Sequence, residues 1–403
     1  MAKPLDGIKV LSFELQVAGP YCTMMLADQG ADVTKVEQPG SGDTARGGAP
    51  MISNDQGETQ SGYFLRFNRN KRSLTLNLKS DAGRQIFRRL ASASDVLIEN
   101  FRPGLLDEMG LGYEALSEDN PRLVYASITG FGSMPGYLGP FSKRPAYDIV
   151  AQAMGGLMNT CGQAGGPPTW PGVALGDIIS GMNAAYAILL GLHQREQTGR
   201  GQYIDVSMYD TIIGLAERSL TAYSLTGTVL ERGREPYMAP WGPFECSDGW
   251  IALIVATERD WGRFCEAIGR PDMVGIEGAT SGPERAKNMT GWLGEIVSEW
   301  FKGQTKSDAS AKLFEAGLAV GPVQNAKEIF DCPHVEARRT LIDVPDPVLG
   351  SVKLVGPPFK LSSDATPLTR AAPLLGEHTS EILQETLGYS EERVAELREE
   401  GVV

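Results

Sequence analysis

The sequence predicts an α/β protein with a doubly wound, Rossmann-like parallel sheet in a large domain and a second, smaller α+β domain. Strand and helix patterns alternate from the first residues to about Leu225. Such alternation is typical of a parallel sheet with helices on both faces. A polar segment rich in Gly and Pro then interrupts the pattern. The chain has 403 residues, which is too long for one small core.

The alternation begins with a βαβ unit. Gly7–Phe13 and Ala31–Glu37 have the residue pattern of strands, and Pro20–Asp28 has that of a helix. Gly30 stands where a helix stop is expected. The pattern therefore predicts two parallel strands joined by one helix.

Later segments continue the alternation. The predicted strands are Asp95–Glu99, Leu123–Thr129 and Tyr203–Met208. The predicted helices are Asp81–Ala93, Tyr147–Leu157 and the apolar run Ile178–Leu192. Residues 1–225 are thus expected to form the N-terminal part of the large domain.

A second module follows the segment Gly227–Trp241, which we interpret as a linker. Its predicted elements are a strand at Trp250–Ala256 and helices at Asp260–Ile268, Ala286–Phe301 and Ser307–Glu315. Residues 226–320 form the predicted small domain, and residues 321–403 return to the large one, beginning with Gly321–Phe330. The C-terminal helices Glu377–Leu387 and Glu391–Glu400 are amphipathic, so we expect them to dock on the fold.

Composition excludes several classes of function. The net charge of −13 disfavours non-specific binding to nucleic acid or to an anionic membrane surface. No apolar run approaches the length of a bilayer span, and no signal peptide is indicated, so a cytoplasmic protein is expected. Three histidines and five scattered cysteines, none in a CxxC pair, indicate neither a metal centre nor a disulfide framework.

Dinucleotide binding is the first function that an N-terminal βαβ unit suggests, and Glu37 ends the second strand where a ribose-binding acid would lie. The turn after the first strand, Glu14–Pro20, contains a single glycine. Close approach of a pyrophosphate requires the spacing G-x-G-x-x-G. The turn therefore argues against NAD or FAD.

Asp177 is the leading catalytic candidate. It ends the Gly-containing segment Pro171–Asp177 and precedes the apolar run of a predicted helix. Unpaired N–H groups and the dipole at a helix start favour an ionised carboxylate. The alternative is that Asp177 only caps this helix.

Seven segments together resemble the class III CoA-transferases, the family that includes formyl-CoA transferase and the related α-methylacyl-CoA racemase. They are Pro4–Leu11 with Ala18–Pro20, Leu26–Glu37, Asn68–Leu74, Asp95–Gly104, Ala174–Asp177, Thr198–Gln202 and Leu375–Thr379. Each is weak alone, but all occur in one order over nearly the whole chain. The resemblance implies an interlocked homodimer whose large domain contains both ends of the chain.

The resemblance also implies the chemistry. Asp177 would attack the thioester of an acyl-CoA and become an aspartyl-CoA thioester, from which a carboxylic acid takes the CoA. N–H groups in the turn containing Gln16, Val17 and Gly19 are candidate oxyanion donors. Tyr237 and Trp241 are candidates for packing on the acyl group, although they could equally be linker residues.

Coenzyme A enters as a substrate in this family, with no permanently bound cofactor. By resemblance, the residues that line the CoA site are Val17, Leu76, Asn100, Phe101 and Tyr147. The basic candidates for its phosphates are Arg46, Arg72, Arg102 and Arg144, together with Lys71 and Lys143. Two positions depart from formyl-CoA transferase, because Gln38 and Glu108 stand where that enzyme has basic CoA contacts.

Transferase is favoured over racemase. The racemase branch needs a histidine in a Gly-His-Asp segment to exchange the α-proton, and the matching segment here is Ala146–Asp148. A CoA-binding dimer without catalytic activity is the rival from another class. The segment Gly233–Pro243 resembles one found in members that act on small carboxylates, so a small dicarboxylate is a candidate acceptor.

Overall fold

The computed structural model describes residues 3–233, 235–362 and 370–403. Arg234, which belongs to the predicted acceptor segment, lies outside these residues. Contacts divide the described chain into two compact units. The first contains residues up to 162, 167–230 and 338–403, and the second contains 163–166 and 231–337.

Among the residues that the structure describes, eight strands and ten helices precede the break at residue 230. The strands are β1 (Lys9–Phe13), β2 (Asp32–Glu37), β3 (Met51–Ser53), β4 (Thr59–Ser61), β5 (Lys71–Thr75), β6 (Val96–Glu99), β7 (Val124–Thr129) and β8 (Tyr203–Ser207). The helices are α1 (Ala18–Asp28), α2 (Gly62–Asn68), α3 (Asp81–Ser92), α4 (Leu105–Glu108), α5 (Tyr113–Asp119), α6 (Asp148–Met154), α7 (Leu157–Thr160), α8 (Leu175–Thr198), α9 (Met208–Leu215) and α10 (Glu217–Thr226).

The second unit and the C-terminal segment contain the remaining elements. Those of the second unit are β9 (Trp241–Cys246), β10 (Gly249–Ile254), α11 (Glu258–Ala267), α12 (Gly282–Asn288), α13 (Trp292–Lys302), α14 (Lys306–Glu315), β11 (Ala319–Pro322), α15 (Ala326–Phe330) and α16 (Pro333–Ala337). The C-terminal segment adds β12 (Leu341–Asp346), β13 (Gly350–Val355), α17 (Thr379–Leu387) and α18 (Glu391–Glu399). Short 3₁₀ turns lie at Thr44–Gly47 and Pro271–Met273.

The first unit is built on a six-stranded sheet in the order β5-β2-β1-β6-β7-β8. Every neighbouring pair in this sheet is parallel. The prediction of a mixed α/β fold with a parallel sheet is confirmed. The order reverses direction at β1, since β2 lies on one side of it and β6 on the other. Ligands of open parallel sheets bind beyond the carboxyl ends of the strands at such a reversal.

Both faces of the sheet are covered by helices. Because strand side chains alternate, Val10 faces the layer that contains α1 and α8, whereas the next residue, Leu11, faces the layer that contains α3 and α17. The C-terminal helices dock on the second layer through Leu383 of α17 and Val394 of α18, which confirms the prediction from their amphipathic pattern.

Strand β5 has no counterpart in the sequence prediction. Its first residues, Lys71–Ser73, are polar, and a half-buried strand is recognised by alternating apolar residues. The structure buries Lys71 and Ser73 through hydrogen bonds to other buried polar groups. A pattern of hydrophobicity cannot reveal a strand whose inward positions are polar.

Helix α8 spans 24 residues, longer than the predicted run Ile178–Leu192. By length and composition it could cross a membrane, which the sequence analysis did not anticipate. Its residues Ala184, Ile188 and Leu192 belong to the core of the first unit. The helix is therefore a core element of this unit.

The second unit contains an antiparallel sheet in which β10 pairs with both β9 and β11. Gly321 was predicted to begin the return to the large domain, yet it pairs with Ala252 inside this sheet. The chain returns at Arg338. The predicted helix Ala286–Phe301 is divided into α12 and α13, because the chain turns back tightly between them: a Cβ on Gly294 would lie 2.0 Å from the Met289 carbonyl oxygen. The predicted domain boundary at 225 stays a prediction.

Candidate active site

Asp177 lies in the first turn of α8 and is half-buried. The helix begins at Leu175, and its N-cap is Ala174, which makes no side-chain cap. Asp177 is thus the third residue of the helix. The alternative that Asp177 caps the helix is wrong.

Asp148, the first residue of α6, caps α8 from outside. Its Oδ1 accepts the N–H of Gly176 at 2.7 Å and the N–H of Asp177 at 3.4 Å. Its Oδ2 accepts the side-chain amide of the buried Gln152 at 2.7 Å, and the same amide also donates to the Val173 carbonyl. A carboxylate at a helix start satisfies N–H groups that otherwise lack partners.

This arrangement changes the protonation of Asp177. Burial, followed by the nearby charge of Asp148, raises the pKa of Asp177 to about 7, although Arg66 opposes the shift. The helix start was expected to favour the ionised form. It does not, because burial raises the pKa of Asp177, and because Asp148 occupies the first-turn N–H groups and adds a negative charge.

A second structural feature is the turn Glu14–Val17, which follows the carboxyl end of β1. Gln16 has a backbone φ of 65°, a left-handed conformation that is uncommon for a residue other than Gly. The side chain of Asn100, which follows β6, donates to the Leu15 carbonyl and accepts the Leu15 N–H at 2.9 and 2.8 Å. Asp43 accepts the Gln16 N–H at 3.1 Å. Asn100 follows β6 and Asp43 follows β2, the strands on either side of β1. Their side chains therefore hold the turn from both sides.

Buried ion pairs lie beneath this turn. Lys35 Nζ is 2.9 Å from Asp43 Oδ2 and donates to the Glu14 carbonyl at 3.1 Å. Lys71 Nζ donates to Glu14 Oε1 at 3.0 Å and also contacts the Pro20 carbonyl and the Asn68 side chain. Both lysines and both acids are almost completely buried. Removing one member would leave an unpaired buried charge, so the group holds the turn in one geometry.

The start of α1 provides N–H donors. In the described chain, the N–H groups of Val17, Ala18 and Gly19 have no protein acceptor, as expected for the first turn of a helix. A Cβ on Gly19 would lie 2.8 Å from the Glu14 Cβ and 3.2 Å from the Asn100 Cγ. Only glycine fits there without displacing the turn.

Helix α8 brings Asp177 to the side of α1. Gly181 lies one turn after Asp177 on the same face of α8. A Cβ on Gly181 would be only 2.7 Å from the Ala18 carbonyl oxygen and 3.2 Å from the Tyr21 ring. The contact between the two helices therefore packs the N-terminal part of α8, which carries Asp177, against the first turns of α1.

Comparison with known proteins identifies the family of this chain. The family model described as CoA-transferase family III matches residues 5–379. The chain belongs to CoA-transferase family III.

Named relatives agree with this family. The succinyl-CoA:mesaconate CoA-transferase of Haloarcula marismortui is 40% identical, over 94% of this chain and 96% of that protein. The succinyl-CoA:glutarate CoA-transferase of Homo sapiens is 35% identical, over 100% and 90%. A crystal structure of a CAIB/BAIF family protein from Brucella suis has a TM-score of 0.84 and 34% identity, over 96% of this chain and 100% of that one.

The predicted membership is confirmed, and with it the assignment as an enzyme that moves CoA from an acyl-CoA to a carboxylic acid, with CoA as a substrate. Among the described residues, no group of three or more His, Cys, Asp and Glu side chains could hold a metal ion.

The residues predicted to line the CoA site of this CoA-transferase lie in different environments. Val17 and Leu76 are buried, with Leu76 in the core. Phe101 stacks on Phe13 with ring centroids 4.2 Å apart. Asn100 uses both ends of its amide on Leu15, so it positions the turn. Tyr147 is 76% exposed.

The predicted basic residues are mostly paired with acids. Arg46 forms two hydrogen bonds to the buried Glu37 at 2.7 and 2.8 Å. Glu37 stands at the position of a ribose-binding acid, and its carboxylate is thus paired within the protein. Arg72 binds Asp32, and because Asp32 opens β2, Arg72 lies near the amino edge of the sheet, away from the turn. Lys71 is enclosed by its buried partners.

Arg102 and Arg144 lie on the surface. Arg102 is 59% exposed and pairs with Glu108. Glu108 stands where formyl-CoA transferase has a basic residue, and its charge is neutralised here by Arg102. Arg144 lies over the Phe141 ring at 4.4 Å. A cavity of about 430 Å³ opens beside this region, at the carboxyl ends of β6 and β7, where Glu99 and Lys143 line it.

Tyr237 and Trp241 lie in the second unit, Trp241 as the first residue of β9. Their predicted contact with an acyl group stays a prediction. Sequence reasoning missed Asp43, Gln152 and Arg66 as site residues. None belongs to a recognisable local motif, since their contacts join segments that are distant along the chain.

Proposed function

We propose that this CoA-transferase transfers CoA to a small dicarboxylate through an aspartyl-CoA thioester on Asp177. The relatives named for succinyl-CoA, mesaconate and glutarate support the substrate class. The carrying observation is the position of Asp177, a half-buried carboxylate in the first turn of the helix whose Gly181 packs on the start of α1, where the N–H groups have no acceptor in the described chain.

The proposed reaction has four transfers. The ionised Asp177 oxygen attacks the thioester carbonyl of the donor, and CoA thiolate leaves to give a mixed anhydride. The thiolate then attacks the aspartyl carbonyl and releases the donor acid, leaving Asp177 as a CoA thioester. The acceptor carboxylate attacks this thioester and expels the thiolate, which finally attacks the acceptor carbonyl to form the new acyl-CoA and free Asp177.

Each attack produces an oxyanion. The N–H groups of Val17, Ala18 and Gly19 are the proposed donors to it, and each such donor contributes about 3 kcal/mol of stabilisation. Gln16 is proposed to contribute its side-chain amide, which donates to the Thr44 hydroxyl and has a second N–H to offer, since its backbone N–H is already bound by Asp43. The fixed turn means that these dipoles need not reorganise during reaction.

The CoA moiety is proposed to lie across the carboxyl edge of β1 and β6, past Phe101 and Tyr147. Arg102, Arg144 and Lys143 are its proposed phosphate contacts, because all three are exposed near that edge, and the pair of Arg102 with Glu108 lies on the surface, where an ion pair is weak enough to be exchanged for a phosphate. Arg46 and Arg72 are committed to Glu37 and Asp32. They are weaker candidates than the sequence indicated.

A homodimer is proposed from the surface of the first unit. Large apolar side chains are exposed along α8 and α10, including Tyr186, Leu190, Tyr223 and Leu225, the last with 79% exposure. Large apolar side chains exposed in this number are a sign of an interaction surface. A second copy of the chain is the proposed partner at this surface.

Two further proposals follow from the sequence. The small domain is proposed to supply Tyr237 and Trp241 to an acyl pocket. The enzyme is proposed to work in the cytoplasm.

The decisive experiment is capture of the intermediate. The protein is incubated with succinyl-CoA and hydroxylamine, digested, and analysed by mass spectrometry. We expect a hydroxamate on Asp177 alone, and Asp177→Ala should lose transfer by at least about a thousand-fold while it still binds CoA by calorimetry. Retained turnover in this variant would refute the assignment. Exchange of the α-proton in deuterated water would instead indicate a racemase.

A further inference from the structure

We propose that Arg66 is a specificity-determining residue that binds the second carboxylate of the dicarboxylate substrate while the first reacts at Asp177. This inference rests on the proposed function. It adds a named residue that selects two-carboxylate acids over single ones.

Arg66 is held in place by aromatic rings. It lies in the last turn of α2, and its guanidinium carbon is 4.0 Å from the centroid of the Tyr63 ring and 4.6 Å from that of Phe67. A guanidinium on an aromatic face is restricted in its motion and keeps its N–H edge available for a carboxylate. The side chain is therefore oriented before any ligand binds.

Contacts lead from Arg66 to the catalytic helix. The Phe67 ring meets the Tyr21 ring edge-on, with centroids 5.4 Å apart. Tyr21 of α1 borders Gly181 of α8 at 3.2 Å from its Cβ position, and Gly181 lies one helical turn from Asp177. Arg66 is thus on the side of α1 that Asp177 approaches, within the same compact unit.

Arg66 differs from its neighbours in being unpaired. Arg46, Arg69 and Arg72 are each bound to a carboxylate. Within the described residues, Arg66 makes only its ring contacts, and its side chain is exposed. An oriented cation without an anion of its own is suited to bidentate recognition of a carboxylate from outside.

The charges around the site explain the need for this cation. Asp177 and Asp148 are two acids in adjacent first turns, and Arg66 is the cation whose charge acts on Asp177, lowering its pKa against the effects of burial and Asp148. A dicarboxylate brings further negative charge to these acids. Without a cation, repulsion would disfavour it relative to a monocarboxylate of equal length.

The test compares two acids that differ only in the second carboxylate. With succinyl-CoA as donor, kcat/KM is measured for glutarate and for pentanoate. In a two-stage transfer the kcat/KM of the acceptor does not depend on the donor. Weaker binding of succinyl-CoA by a variant therefore does not alter the comparison between the two acceptors. We expect Arg66→Gln to lower kcat/KM about 30-fold or more for glutarate and less than about threefold for pentanoate. Arg66→Lys should fall between wild type and Arg66→Gln.

Two controls separate this role from a structural one. Arg89→Gln removes an exposed arginine that also lies over a ring, at 5.0 Å from Tyr389, and it should leave both acids unaffected. The acid limb of the pH profile for pentanoate should move to higher pH in Arg66→Gln, because the cation that lowers the pKa of Asp177 is gone.

Equal losses for both acids, or no loss for either, would overturn the role of Arg66 while leaving the CoA-transferase assignment intact. A wild-type enzyme that uses pentanoate as well as glutarate would overturn it too. Absence of transfer from succinyl-CoA to glutarate in the wild-type enzyme would refute the proposed function itself, before any variant is compared.

Discussion

The carboxylate of Asp148 accepts the backbone N–H of Asp177, at 3.4 Å, and that of Gly176 before it, at 2.7 Å. One acid therefore positions the helix that carries the other and also opposes its ionisation. The pKa of Asp177, raised to about 7 mainly by burial and then by Asp148, lies close to neutral pH. Nucleophilic attack requires the ionised form, so activity should depend on pH near neutrality.

Replacing Asp148 with Asn should shift this dependence. The amide oxygen can still accept the N–H groups of α8, but the negative charge is removed. Since that charge raises the pKa of Asp177, the acid limb of kcat/KM should move to lower pH by about half a unit or more. The measurement is a profile from pH 5 to pH 9. Asp55→Asn, an exposed acid in a surface turn, should leave the profile unchanged, and a shift of Asp148→Asn to higher pH would contradict the electrostatic account.

The raised pKa also predicts a cost in stability. Between the ordinary pKa of an aspartate, 3.8, and the folded value of about 7, the folded state keeps a proton that the unfolded state has lost. Stability contributed by this group is therefore lost as pH rises from about 4 to about 7. Asp177→Asn should melt at a higher temperature than wild type at pH 8 and at nearly the same temperature at pH 4. Calorimetry at both values checks this, and an equal difference at the two would show that titration is not the cause.

Asp43 is expected to maintain the turn that carries Gln16. Asp43→Ala removes the acceptor of the Gln16 N–H and leaves Lys35 as a buried charge, so it should destabilise the protein by about 3–5 kcal/mol and lower kcat. Asp43→Asn keeps the acceptor and should retain more activity.

Combining Asp43→Asn with Lys35→Met removes both charges of this ion pair. Urea unfolding should show that the double variant is more stable than the sum of the single changes predicts. Strict additivity would mean that the 2.9 Å contact between Lys35 and Asp43 does not couple them.

Gly19→Ala tests the close approach at the start of α1. The added methyl group would meet Glu14 and Asn100 at 2.8 and 3.2 Å, and both side chains are fixed by hydrogen bonds, those of Glu14 buried and those of Asn100 partly buried. We expect a loss of about 1–3 kcal/mol in stability and at least a tenfold loss in kcat. Gly262→Ala is the matched control, since this helical glycine in α11 has nothing within 4 Å of the Cβ position. It should be neutral or slightly stabilising.

Local patterns determined much of the fold. β1, α1 and β2 end at the predicted residues Phe13, Asp28 and Glu37, because each follows the period of its own apolar residues and ends at a turn. The apolar pattern did not predict β5, since its inward residues Lys71 and Ser73 are polar. The division of Ala286–Phe301 into two helices also escaped it, since the apolar spacing continues across the turn.

The candidate site likewise contains one residue that the sequence revealed and others that it did not. Asp177 could be found from the sequence because it belongs to the contiguous segment Ala174–Asp177, within a family that the motifs identify. Its partners could not. Asp148 and Arg66, whose charges act on Asp177, lie 29 and 111 residues before it in the chain, and no local spacing connects them.

The sequence by itself determined the family, the alternation of strands and helices, and the choice of Asp177 as the proposed nucleophile, because each is encoded in neighbouring residues. Only the tertiary structure decided the state of that acid and of the turn beside it. Burial, the charge of Asp148 and the opposing charge of Arg66 depend on distances across the folded chain. The ion pairs that hold Gln16 likewise exist only once β1, β2 and β5 lie side by side.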